Sequence, residues 1–169
     1  FGGMGKSAFG PGIKAGGPNY VAQLMHFSGR DDRSNMTVHN EALSDLATEL
    51  RSLAGELAAD SESLVSTIAD YEAIAQVEFH REHDHVRLVG QDNIRRYLPV
   101  QGLCIRVVEQ DSWFEIVARV AAARAAGCRM IVCAAPHVHT AWLEQLHDMT
   151  ETWAGDIEFV TWSDDDLAR

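Results

Sequence analysis

Residues 103–134 read LCIRVVEQDSWFEIVARVAAARAAGCRMIVCA, and the fold turns on how this stretch divides. Leu103 to Val108 (LCIRVV) is a short apolar run with β-branched residues and predicts a strand. Ser112 to Ala126 predicts a helix, and Gly127 directly behind it has the freedom to form its C-terminal cap. Arg129 to Ala134 (RMIVCA) predicts a second strand. A strand, a helix and a strand in that order form a crossover unit whose strands run parallel.

Further along the chain the alternation continues. A helix is expected from about Val138 to Met149, a strand from Ile157 to Trp162, and a capped helix start at Ser163 followed by three aspartates. Right-handed crossovers would then give a three-stranded parallel sheet, a partial Rossmann-like domain over residues 87–169. Three strands are few for a doubly wound sheet, so the domain reads as incomplete.

Upstream lies a helical hairpin, residues 41–86. Leu43, Leu46, Leu50, Leu53 and Leu57 recur at alternating steps of three and four, which places them on one stripe of a single helix. Asp60 or Ser61 is expected to cap a second helix, in which Leu64, Ile68, Tyr71 and Ala75 repeat the spacing to about Phe79. Fewer than three heptads make the stripe a packing surface and not a zipper. Residues 28–40 read as a linker. Before them, FGGMGKSAFGPGIKAGGPNY is too rich in glycine for a regular element, and Pro18 suits the first turn of a short helix over 19–27.

Composition bounds the function. With 169 residues, 46% hydrophobic and 23% charged, the chain has a globular make-up, and a net charge of −11 opposes a role in coating phosphate backbones. No nucleic-acid partner is expected. The charge is uneven: residues 1–40 carry +2, whereas residues 41–169 carry −13 from ten arginines and 23 carboxylates. Cys104, Cys128 and Cys133 lie in apolar surroundings and read as buried, reduced thiols of a cytoplasmic protein.

The chemical motifs are incomplete. A dinucleotide site needs glycines in the first strand-to-helix turn, but that turn is Glu109-Gln110-Asp111-Ser112, with two carboxylates facing any phosphate. The second turn, Ala135-Pro136-His137, has no glycine either. Gly5-Lys6-Ser7 resembles the end of a phosphate loop without the strand and helix that must flank it. His80, His83 and His85, interleaved with Glu78, Glu82 and Asp84, lack a fourth ligand at a metal-site spacing and read as a solvated helix terminus. His137 and His139 read as loop residues. No cysteine has the local signature of a nucleophile, so no catalytic, cofactor-binding or metal-binding residue is assigned within this chain.

Phe1-Gly2-Gly3, then Ser7, then Lys14-Ala15-Gly16-Gly17-Pro18-Asn19-Tyr20, resembles the C-terminal end of the aldehyde dehydrogenase fold. The KxGGPxY part is similar to the glutamate-semialdehyde (pyrroline-5-carboxylate) dehydrogenase branch. Arg87-Leu-Val-Gly-Gln-Asp-Asn93, followed by Leu103-Cys-Ile and the alanine-rich Ala118 to Gly127, resembles the C-terminal region of bifunctional proline utilization A proteins.

The resemblance implies a C-terminal fragment: residues 1–27 finish a catalytic domain and residues 87–169 belong to a non-catalytic one. It implies that Phe1 lines the aldehyde pocket and that Gly2 and Gly3 shape the loop beside it. The nucleophile, the general base and the NAD site are expected upstream of Phe1, in catalytic domains of the same chain. FAD is expected if the parent also oxidises proline. The whole protein would convert L-glutamate γ-semialdehyde to glutamate in proline catabolism, as a homo-oligomer in the cytoplasm; contact of the parent with the inner membrane stays open. The leucine-striped hairpin and the end at Arg169 depart from the family pattern. A non-enzymatic interaction module, hairpin plus α/β domain, is the alternative.

Overall fold

The computed structural model describes residues 25–26, 37–84, 87–138 and 141–167. The chain divides into two units, Phe1–Asp32 and Arg33–Arg169, and the account below concerns the second. Met25 and His26 are exposed and not helical, so the helix expected over 19–27 does not reach them. The glycine-rich opening and most of the linker lie outside the described residues.

The second unit is mixed α/β. Helix α1 (Glu41–Ser52) and helix α2 (Ser61–Ile74) form the hairpin, with a 3₁₀ turn over Gly55–Asp60 between them and a π-helical turn over Ala75–Phe79 behind. Strand β1 (Leu103–Val107), helix α3 (Trp113–Ala125), strand β2 (Met130–Ala134), helix α4 (Ala141–Met149), strand β3 (Ile157–Thr161) and the short helix α5 (Asp164–Leu167) follow.

The leucine stripe continues as packing but not as one helix. Leu43, Leu46 and Leu50 are buried on α1, but Leu53 turns extended at φ −62° and ψ 150° and ends the helix. Gly55 then adopts φ +72°, a conformation that side chains with a Cβ resist. Leu53 and Leu57 reach the same core from the connection, partly buried. Asn40 caps α1 by accepting from the Leu43 N–H at 3.2 Å. Asp60 precedes α2 at its cap position without a side-chain bond.

A buried carboxylate fastens the hairpin. Glu72 on α2, only 4% exposed, accepts from the backbone N–H groups of His39 at 2.8 Å and Asn40 at 2.6 Å. It thus satisfies donors at the start of α1, where a negative charge also complements the helix dipole.

The sheet order is β1-β2-β3, with both pairings parallel. In this register Leu103, Ile105 and Val107 align with Met130, Val132 and Ala134, and these with Ile157, Phe159 and Thr161. Alternation sends the remaining positions, Cys104, Arg106, Ile131, Cys133, Glu158 and Val160, to the opposite face. The first face is the covered one. Ile105, Val107, Met130, Val132 and Ala134 share one core with Ile116, Val117 and Val120 of α3 and Leu146 and Met149 of α4. The His147 ring of α4 meets Phe159 edge-on at 5.1 Å. Behind this layer, α2 packs on both α1 and α3.

Gly127 ends α3 as expected. At φ +73° its N–H donates to the Arg124 carbonyl at 3.0 Å, and the Cys128 N–H donates to the Ala123 carbonyl at 2.9 Å. That pair of bonds is the Schellman closure. The predicted burial of all three cysteines fails at one position: Cys128 and Cys133 are buried, but Cys104 is exposed. Cys104 sits on an edge strand and on the sheet face that no described helix covers, so an apolar neighbourhood in sequence does not become burial in space.

Candidate functional site

In open α/β sheets ligands bind beyond the carboxyl ends of the strands, where helix N-termini offer unpaired N–H groups. The first such end here is closed by its own side chains. Asp111 folds the turn after β1 back on itself: its carboxylate accepts from the Val108 N–H at 2.8 Å, and its own N–H donates to the Val108 carbonyl at 3.1 Å. The second carboxylate oxygen takes the Arg119 guanidinium at 2.8 Å.

At the start of α3, Ser112 and Glu115 form a reciprocal cap. The Ser112 hydroxyl accepts from the Glu115 N–H at 3.2 Å, while Glu115 accepts from the Ser112 N–H and hydroxyl, both at 2.9 Å. The Ser112 backbone N–H, then its hydroxyl, hold the Glu115 carboxyl below the ordinary carboxylate range. Two donors that a pyrophosphate would use are therefore engaged, and the dipole is answered by a resident charge. This helix start has fewer free donors and less positive end-charge to offer an anion.

The third strand end repeats the device. Ser163 and Asp166 make the same reciprocal set, with the Ser163 hydroxyl donating to Asp166 at 2.6 Å and the Asp166 N–H donating back at 3.3 Å. The Ser163 hydroxyl leads in lowering the Asp166 carboxyl. After β2, the Val138 N–H bonds to the Ala135 carbonyl at 2.9 Å and His137 is exposed. His139 lies outside the described residues.

Arg106 is the best-anchored cation of the uncovered face. Its Nη1 donates to the Trp162 carbonyl at 2.7 Å and to Cys133 Sγ at 3.0 Å, and its Nη2 donates to Asp164 at 2.6 Å. It thereby ties β1 to β2 and to the start of α5.

Phe1, Gly2 and Gly3, the predicted pocket residues, lie outside the described residues, as do Ser7, residues 14–20 and His85. Of the histidine cluster, His83 Nε2 stands 2.8 Å from the Glu78 carbonyl, and the His83 and Arg95 backbones bond to each other. Glu78 meets Arg95 at 2.8 Å, and that bond leads in lowering its carboxyl. These groups work as structural bonds. Among the described residues no group of three or more His, Cys, Asp or Glu is placed to hold a metal ion. A groove of about 490 Å³ opens beside them, lined by Phe79, Tyr97, Leu98, Pro99 and Val100.

The capping roles of Ser112 and Glu115 are not among the expectations drawn from the sequence. The S-x-x-E spacing was the available signal. Arg106 carried none, because its partners are 27, 56 and 58 residues away. Among the described residues no helix is long and apolar enough to cross a membrane. Comparison with protein-family models, with curated proteins and with solved structures finds no match to this chain.

Proposed function

We propose that residues 37–167 form a non-catalytic, Rossmann-like packing domain in the C-terminal part of an NAD-dependent L-glutamate γ-semialdehyde dehydrogenase. The observation that carries the non-catalytic half is the closed turn at Asp111, Ser112 and Glu115: the sheet keeps the parallel crossover plan, yet its first helix start is satisfied from within. The enzyme assignment rests on the resemblance of residues 1–20 and 87–127. In this reading Phe1 supplies an aromatic wall to the aldehyde pocket, with Gly2 and Gly3 allowing close passage of the loop. In the same reading the parent oxidises the proline-derived semialdehyde to glutamate with catalytic groups other than those of residues 1–169.

The second reading, an interaction module without chemistry, is favoured by one feature. Leu88, Val89, Ile94, Leu98 and Val100 are all at least half exposed along the connection 88–100, which turns at Val89-Gly90, and exposed apolar residues gathered in this way mark contact surfaces.

The coding sequence upstream of the Phe1 codon separates the two. The dehydrogenase reading expects an open frame encoding a cysteine nucleophile and a glycine-rich nucleotide fold. An in-frame stop followed by a start codon next to Phe1 would overturn it. The purified chain alone is expected to show no NAD-dependent turnover of glutamate semialdehyde; measurable turnover contradicts the placement of the active site.

A further inference from the structure

The uncovered sheet face brings together two thiols that are 29 positions apart in the chain. Cys104 pairs in register with Ile131, and Cys133 pairs with Arg106, so the two cysteines are diagonal neighbours on adjacent strands and point to the same side. Both are free. Burial first, and then the neighbouring Cys133 sulfur, push the Cys104 thiol above its ordinary value, against the pull of Arg106. Cys133 is fully buried, Cys104 is open to solvent, and the Arg106 guanidinium lies 3.0 Å from Cys133 Sγ.

The spacing discriminates between chemistries. Strands about 4.8 Å apart and an advance of about 6.6 Å over two residues put a diagonal pair roughly 8 Å apart at Cα. A disulfide needs Cα atoms within about 7 Å and sulfurs at about 2.05 Å, so the pair is too wide for one without backbone movement. Zinc wants four ligands, and no third ligating side chain joins the pair among the described residues. A linear bis-thiolate complex instead holds its sulfurs two metal–sulfur bonds apart, a wider span than a disulfide, and needs no S–S bond. Soft thiolates with low coordination number select Cu(I).

We infer that Cys104 and Cys133 form a two-coordinate Cu(I) site in which Arg106 holds the Cys133 sulfur by a hydrogen bond. Binding forms two S–Cu bonds and breaks two S–H bonds, releasing two protons to solvent, with no change in oxidation state. The bis-thiolate complex carries one negative charge, and the Arg106 Nη1 already donates to one of its sulfurs at 3.0 Å, while Nη2 stays paired with Asp164. Exposed Cys104 is the entry point, and buried Cys133 completes the site from below.

The test is an anaerobic titration of the reduced full chain with Cu(I), in competition with a chromophoric Cu(I) chelator. The expected result is one Cu(I) per chain, with sulfur-to-copper charge-transfer absorption and no change in oligomeric state. Cys104→Ser, at an exposed position, loses that binding, as does Cys133→Ser, whereas Cys128→Ser keeps it. Arg106→Gln weakens it about 10- to 100-fold, the usual effect of removing an outer-shell partner. Failure of the wild-type chain to take Cu(I) from the chelator overturns the proposal. So does a Cys104→Ser chain that binds like wild type, or binding that requires Cys128. Cys104→Ser decides the matter even if Cys133→Ser fails to fold.

Discussion

On one face of the sheet Ile105, Val107, Met130, Val132 and Ala134 are sealed against α3 and α4, whereas on the other Cys104 and Glu158 meet solvent and Ile131 and Val160 are half-buried. The two faces belong to the same three strands and differ only by alternation. A parallel sheet is normally covered on both sides. Here consecutive strand order sends both crossover helices to one side, and the hairpin thickens that same side further. The other face is left to polar and thiol chemistry, with Arg106 lying over Cys133 in place of a helix.

The sharpest way to break this contrast is to delete the same atoms from each face. Ile105→Ala, on the sealed face, is expected to cost about 2–5 kcal/mol in urea denaturation. Ile131→Ala, on the open face, should cost less than half as much as Ile105→Ala, because its site is already wet and leaves no sealed cavity. Equal losses would mean that something covers both faces.

Glu72→Ala probes the outermost layer of the covered side. It removes the acceptor of the N–H groups of exposed His39 and half-buried Asn40, which water can partly replace, and is expected to cost about 1–3 kcal/mol in all. Chemical denaturation of the variant checks this, and an unchanged midpoint would remove Glu72 from the account.

A smaller effect belongs to the rim between the faces. Because the folded state lowers the Glu115 carboxyl, its contribution is present above the unfolded glutamate value and is lost as pH falls through the folded one. The stability gap between wild type and Glu115→Ala should therefore be widest near neutrality and narrow on acidification below about pH 4.3. A gap that grows toward acid would reverse the sign of the linkage.

Much of the covered side was legible in the sequence, because period and punctuation are local. The apolar runs at 103–108 and 129–134 marked their strands within a residue, and Gly127 marked the end of α3. The break after Ser52 was not legible from the leucines, since Leu53 and Leu57 keep the helical spacing while Gly55 redirects the backbone. The exposure of Cys104 did have a local signal: Arg106, the one charged residue of LCIRVV, shares its alternation and marks that set as the outward one. The Glu72 clasp and the Cys104–Cys133–Arg106 cluster depend on partners 27 to 33 residues apart, and only the register and the hairpin geometry bring them together.

The central claim is that this three-stranded parallel sheet has its first strand-to-helix turn and helix start satisfied by its own side chains. Calorimetric titration of NAD into the chain tests it most directly. The account predicts no saturable binding at ligand concentrations up to about 1 mM, where even a weak site of roughly 4 kcal/mol would register. A one-to-one isotherm in that range, abolished by substitutions at the Asp111–Glu115 turn, would contradict it.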